Sequence, residues 1–432
     1  MKKIVFIGAG SIIFVKNLIG DCMLTTSLHD SEFALLDINK EKLYLAEKML
    51  QNLNQNVNDG RAIVKAYDDQ KEALRGADFV INAIQVGGYD PCVINDFEIP
   101  LKYHLKQTYA DTLGIGGIFR GLRTIPVMQG IIHDMEEVCP HAWLLNYTNP
   151  MCIVTGAIQK SSEIKTIGLC HSVQSCTSDL MSVVGMDPTD VEYKIAGINH
   201  QAWLLEVTKD GKDLYPEIKR RATQLPKYHD DMVRYEIMKR FGYYVTESSQ
   251  HTAEYTPFFI KDKYPEKIEQ YGIKTMMYKD WGKSQIAYWE KAKEELVDNC
   301  AITHQRTKEF ASYILDSLTT GVPYRIHANV LNHGFITNLP NNACVEVPCL
   351  VDGTGIYPCF IGELPPQCAA LNRTNINVQE LTIAAALTGN KDHVYQAAFM
   401  DPHTSSELDM DTIVKMCDEL MEANKEWLPE FF

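Results

Sequence analysis

The sequence predicts an α/β protein: a Rossmann-like doubly wound parallel sheet over residues 1–195, followed by a second, α+β domain over residues 196–432. Three observations carry this reading. Short apolar runs rich in β-branched residues alternate with stretches of helical apolar spacing along the first half. The first run ends in Gly8-Ala9-Gly10-Ser11 and the second ends in a carboxylate, Asp37. After about residue 196 the alternation gives way to charged, aromatic helical pattern and then to β-rich segments.

Taken in order, residues 3–8 form a strand of the kind buried in a parallel sheet, and a mostly apolar helix follows the glycines. Residues 33–37 are the second strand. Leu43, Ala46, Leu50 and Leu53 fall at helical spacing, and residues 62–66 and 79–84 read as further strands. Asn82 lies near the C-terminal end of its strand, where ligands of open α/β sheets bind. Residues 143–147 are the next strand, turned by Thr148-Asn149-Pro150 into a helix, and residues 165–169 close the sheet. Between them, residues 109–117 form a polar, glycine-rich insert containing Asp111 and running on to Arg120 and Arg123. In the second half, residues 203–207, 322–332 and 343–350 read as strands, 242–251 as a dense polar cluster, 359–377 as a Pro/Asn-rich connection, and 378–430 as helix. The opening β–α–β unit suits a dinucleotide. Gly8, Gly10 and Ser11 let the backbone approach a pyrophosphate at a helix N-terminus, and Asp37 can bond ribose hydroxyls, although Ile13 stands where the third glycine of the fingerprint would be.

Bulk properties bound the function. With 432 residues and 45% apolar composition the chain has material for two or three folded domains. A net charge of −15 argues against a nucleic-acid or anionic-membrane partner, since both need a basic patch. No apolar run reaches the ~20 residues that span a bilayer. The 12 cysteines are scattered and without a CxxC pair, the usage of reduced thiols in a cytoplasmic protein. Met1-Lys2-Lys3 before an apolar run imitates a signal peptide, but no small-residue cleavage site completes it.

The chemistry gathers at Cys170 and His171, where an apolar run stops, and at His200, which ends a second run. Each alone is more often structural: a buried thiol behaves as a small hydrophobe, and a lone imidazole as a satisfied core residue. Together, Cys170 and His200 suit a divalent transition ion and leave positions open for substrate oxygens.

Around them, Ile7–Ser11, Phe14-Val15-Lys16-Asn17, Ala110–Gly114, Leu145–Pro150, Gly168–Val173, Ala196–His200 and Thr246–Ser249 resemble glycoside hydrolase family 4, most closely its α-galactosidase branch. The resemblance covers nearly the whole chain. It implies NAD and Mn2+ as cofactors, though other divalent transition ions are possible. It also implies an elimination route instead of two-carboxylate hydrolysis, an exception already recognised for this family. In that route NAD+ takes hydride from C3, the C2 proton becomes acidic and leaves to a base, the metal stabilises the enediolate, the group at C1 departs with acid help, water adds, and the hydride returns. Cys170 and His200 match the metal ligands, Asn149 a substrate-contacting asparagine, and Asp111 a carboxylate supporting the base. His171 stands where a phosphosugar branch carries its acid. The base maps to residues 242–251, with Tyr243 ahead of Tyr244 and Glu247. Residues 90–101 hold no Arg or Lys to bind a 6-phosphate, so the expected substrate is an unphosphorylated α-galactoside. The resemblance further implies a homodimer or homotetramer.

Two alternatives stand beside this reading. One is a relative acting on an α-glucoside or a uronic acid, which would want an added arginine such as Arg120 or Arg325. The other is a 2-hydroxyacid dehydrogenase. Lactate and malate dehydrogenases share the opening unit and the overall fold class, but need no metal.

Overall fold

The structure is a computed structural model that describes residues 1–226 and 229–432. Six parallel strands form its first half: β1 (Lys3–Ile7), β2 (Glu32–Leu36), β3 (Ile63–Ala66), β4 (Phe79–Asn82), β5 (Trp143–Asn146) and β6 (Lys165–Gly168). They lie in the order β3-β2-β1-β4-β5-β6, the doubly wound order, whose direction reverses between β1 and β4. All of these strands but the edge strand β3 are buried on both faces because crossover helices cover both, which is why they read as apolar runs; β3 leaves Ile63 and Lys65 exposed. Helices Ile12–Met23 and Lys40–Asn58 contribute Leu18, Ile19, Leu43, Leu50 and Leu53 to the core cluster that also holds Phe6 and Phe33.

The same sheet continues into the second half. Antiparallel strands β7 (Glu192–Ile198), β8 (Gln201–Lys209), β9 (Lys212–Asp213), β10 (Tyr244–Val245), β11 (Tyr324–Leu331), β12 (Cys344–Asp352) and β13 (Gly355–Pro358) extend it in the order β10-β8-β7-β12-β11 beyond β6. The seam is narrow: β11 meets β6 through the pairing of Asn329 with Gly168, and β12 meets β7 through Glu346 with Gly197. Residue 195 falls inside β7.

One sequence expectation fails in the second half. Residues 359–377 are not a connection throughout, because a helix runs over Pro366–Thr388. Its prolines occupy the first turn, where a missing N–H costs nothing. Its polar residues read as loop but are core. Asn372 Nδ2 donates to the Gln201 carbonyl at 2.7 Å while its Oδ1 accepts from Trp203 Nε1 at 3.1 Å, and Asn375 Nδ2 donates to Gln201 Oε1 at 2.9 Å. No helix of the described residues is long and apolar enough to cross a membrane.

Candidate active site

The dinucleotide turn forms as its residue types demand. Gly8 sits at φ +94°, and a Cβ there would lie 2.4 Å from the Ala83 carbonyl oxygen, so only glycine fits. Asp37 closes β2 and bonds back to the turn: Oδ2 accepts from Gly10 N–H at 2.7 Å and Oδ1 from Asn39 N–H at 2.8 Å. Beside the turn is a cavity of about 680 Å³, lined by Gly10, Ser11, Phe14 and Gln85 on one side. Tyr278 and Trp281, from the helix Met277–Ala292, line the other. Asn82 is wholly buried instead, and its amide is engaged by Asn146 Oδ1 at 2.9 Å and Thr148 Oγ1 at 3.0 Å.

The predicted metal pair does come together. β6 and the β7–β8 turn end side by side, bringing Cys170 Sγ within 3.4 Å of His200 Nε2. Glu247 completes a cluster whose ligand atoms all lie within 4.8 Å of one another, with its Oε2 3.7 Å from His200 Nε2. His200 and Glu247 both hold left-handed backbone, at φ 63° and 65°, a conformation costly for residues with a Cβ and typical of functional sites. Burial alone would push the Cys170 thiol up, yet the imidazole of His200 outweighs it and brings the thiol down to about 7. Burial would likewise lower His200, but the Cys170 thiolate, Glu247 and Asp111 raise it to about 10. A thiolate, an imidazole and a carboxylate converging within such a span form a donor set that fits a divalent transition ion.

A second layer of groups surrounds this cluster. His251 reaches Asp111 from Nε2 at 3.5 Å and Glu247 from Nδ1 at 3.7 Å. Tyr109 stacks on the His251 ring with centroids 4.1 Å apart, and the His200 ring meets its edge at 4.4 Å. Asn149 donates its amide to Asp111 Oδ2 at 3.2 Å. Burial pushes the Asp111 carboxyl up, but His251 and the Arg120 guanidinium outweigh it and hold the group well below its usual range. Glu247 is likewise held down against burial by His200 and His251.

Two contacts tie the cluster to the cofactor cavity. Phe14, on the cavity wall, meets the His171 ring edge-on at 6.3 Å. Tyr278, on the opposite wall, covers the Arg120 guanidinium at 5.1 Å, and Arg120 Nε donates to the Asn149 carbonyl at 3.3 Å. His171 is 57% exposed, with its Nε2 2.6 Å from Glu309 Oε1, whose carboxylate raises the imidazole pKa.

Tyr243 does not join these groups. Its ring meets Tyr215 edge-on at 6.0 Å and lies under the Lys219 amine, because the chain has not yet entered β10. Tyr244 is buried with its hydroxyl on Asp231. The side chains that sequence reasoning did not single out are His251, Tyr109 and Glu309. The polar run 242–251 carried a signal for the first; Glu309 had none, since it meets His171 from 138 residues away.

The helix Ile94–Lys102, which the substrate argument turns on, carries Asp96 inward. Asp96 grips Arg123 with two hydrogen bonds, 3.1 and 2.5 Å, both groups fully buried.

Comparison with known proteins gives a consistent picture. A family model described as Family 4 glycosyl hydrolase matches residues 3–186, and one described as its C-terminal domain matches residues 195–404. The chain is 58% identical to an α-galactosidase of Bacillus subtilis (strain 168) over 432 residues, all of both chains. A glucosidase structure from Bacillus subtilis superposes with a TM-score of 0.88 at 25% identity, covering 97% of this chain and 99% of that one. A 6-phospho-α-glucosidase from gut microorganisms, solved with NAD and Mn2+, superposes with a TM-score of 0.81 at 20% identity over the full length of both.

Proposed function

The chain belongs to glycosyl hydrolase family 4, and on that premise we propose that it is an α-galactosidase of unphosphorylated α-galactosides, with NAD and Mn2+ as cofactors. The observation that carries the mechanism is the Cys170–His200–Glu247 cluster, set next to a dinucleotide turn and linked to it through Phe14 and His171. A 2-hydroxyacid dehydrogenase has no use for such a donor set.

When bound, NAD supplies a reversible hydride acceptor for the sugar and Mn2+ a Lewis acid for its oxygens. The protein supplies the rest. Gly8, Gly10 and Ser11 receive the pyrophosphate, with Asp37 holding the turn in shape and reaching the ribose; Asn82 supports the neighbouring strand ends. Cys170 and His200, joined by Glu247, hold the ion. Asn149 presents its amide to sugar hydroxyls, oriented by Asp111. His171, its imidazole pKa raised by Glu309 and its ring open to solvent, gives a proton to the leaving group. The acceptor of the C2 proton is His251, which Asp111 holds and Tyr109 covers, and not Tyr243. Residues 1–195 serve as the dinucleotide half and 196–432 as the substrate half, with the ion between them. Asp96 engages the buried Arg123 and Glu419 engages Lys102, so neither cation is free to hold a phosphate, in keeping with an unphosphorylated sugar. The protein works as a cytoplasmic homodimer or homotetramer, where a thiolate ligand stays reduced.

The test is hydrolysis of a chromogenic α-galactoside with NAD+, Mn2+ and a thiol reductant, each omitted in turn. Activity that persists unchanged without NAD+ sinks the reading.

A further inference from the structure

One buried carboxyl has no place in the chemistry above. Glu346 is fully buried in the middle of β12. Desolvating a carboxyl there is costly unless its oxygens are used. The sheet register puts it in a row that crosses four strands: Gly168 on β6, Asn329 on β11, Glu346 on β12 and Gly197 on β7. Each end of the row leads to a metal ligand. Two residues beyond Gly168 is Cys170, and three beyond Gly197 is His200.

The row is bonded along its length. Asn329 Nδ2 donates to the Gly168 carbonyl at 3.3 Å and to Glu346 Oε1 at 3.4 Å, and its Oδ1 faces Cys152 Sγ at 3.7 Å. Gly168 must be glycine for this, because a Cβ there would lie 2.5 Å from Met151 Sδ and 3.0 Å from Asn329 Cβ. Among the buried polar atoms without a protein partner are Glu346 Oε2 and His200 Nδ1, with the amides of Asn199 and Gln201 beside the latter. A metal-bound histidine generally donates its other ring N–H to a carboxylate, carbonyl or water, which fixes its tautomer. Burial first, and then the Cys170 and Cys152 thiols, hold the Glu346 carboxyl well above its usual range, against the lowering effect of His200.

We propose that Glu346 is the positioning residue of the metal site, holding the Cys170 strand end through Asn329 and taking the Nδ1–H of His200 through buried water. This rests on the reading of Cys170 and His200 as metal ligands. Water suits the role because a polar buried gap with two to four partners is where structural water resides.

The experiment measures Mn2+ affinity, NAD affinity and melting temperature of the wild type and of Glu346→Gln. The substitution keeps the size and the contact to Asn329 but presents a donor where an acceptor is needed. The expected result is Mn2+ binding weakened about 10–100-fold, with NAD affinity unchanged. Equal Mn2+ affinity in the two proteins overturns the proposal, as does a parallel loss of NAD affinity, which marks a purely structural residue. A wild type that binds no Mn2+ overturns the metal reading itself, a different outcome. Should the variant not fold, a high-resolution structure of the Mn2+-loaded wild type decides: water or a direct bond between Glu346 and His200 Nδ1 supports the proposal, and an unbonded Nδ1 refutes it.

Discussion

Cys170 and His200 are coupled: each favours the other's charged form, which brings the thiol down to about 7 and the imidazole up to about 10. Replacing one partner undoes the other. Cys170→Ser is expected to abolish most metal-dependent turnover while NAD binding, followed by calorimetry, persists; a variant that fails to fold would instead assign the thiol to the core. The proton acceptor gives a sharper contrast. His251→Asn is expected to lower exchange of solvent deuterium into C2 of the released sugar about 10²–10⁴-fold, whereas Tyr243→Phe leaves it near wild type. The reverse pattern would restore the tyrosine. Glu309→Ala is expected to slow substrates with poor leaving groups far more than aryl galactosides with good ones, because only the former need a proton from His171. Equal slowing would remove His171 from the acid's role.

The turn between β1 and its helix is the element on which the proposed cofactor binding hangs. Gly8→Ala adds a Cβ where 2.4 Å separates it from a carbonyl oxygen, on backbone at φ +94°. The strain is of order 1–3 kcal/mol, and the expected result is a lowered melting temperature together with lost NAD binding. Wild-type NAD affinity in this variant would show that the cofactor does not use the turn. This element was legible in the sequence because its signals are local: a strand pattern, two glycines and a carboxylate within one β–α–β unit. The strands of the first half and β8, β11 and β12 were legible for the same reason, whereas β7 and the short β9, β10 and β13 were not. What escaped was long-range or inverted in polarity. His251 meets Asp111 across 140 positions, and no spacing rule joins them. The helix Pro366–Thr388 was half missed because Asn372 and Asn375 read as loop, yet they are core residues that satisfy Gln201 and Trp203. Tyr243 was chosen by residue type from a polar run in which only one face of the chain reaches the cluster.

At the scale of the whole molecule, stability carries a pH signature from His327 on β11. Burial, aided by the Arg325 charge, depresses its pKa from 6.5 to about 3. The unfolded chain therefore takes up a proton that the folded chain refuses. The stabilisation is complete above pH 6.5 and is lost as pH falls toward 3, at about 1.4 kcal/mol per pH unit. His327→Gln is expected to flatten the acid limb of a urea-denaturation series over that range, and an unchanged slope would show that the imidazole titrates normally in the fold. The sheet has a consequence of a different kind. Its parallel and antiparallel parts are stitched by the pairing of Asn329 with Gly168, and the ligands proposed for the ion arrive from opposite sides of that stitch. Metal binding is thus a coincidence detector. A chain whose first half alone has folded offers the ion a lone thiolate and lacks the Tyr278–Trp281 wall of the cavity beside the turn. In a refolding sample, Mn2+ stoichiometry is expected to count the chains whose two halves have joined in register.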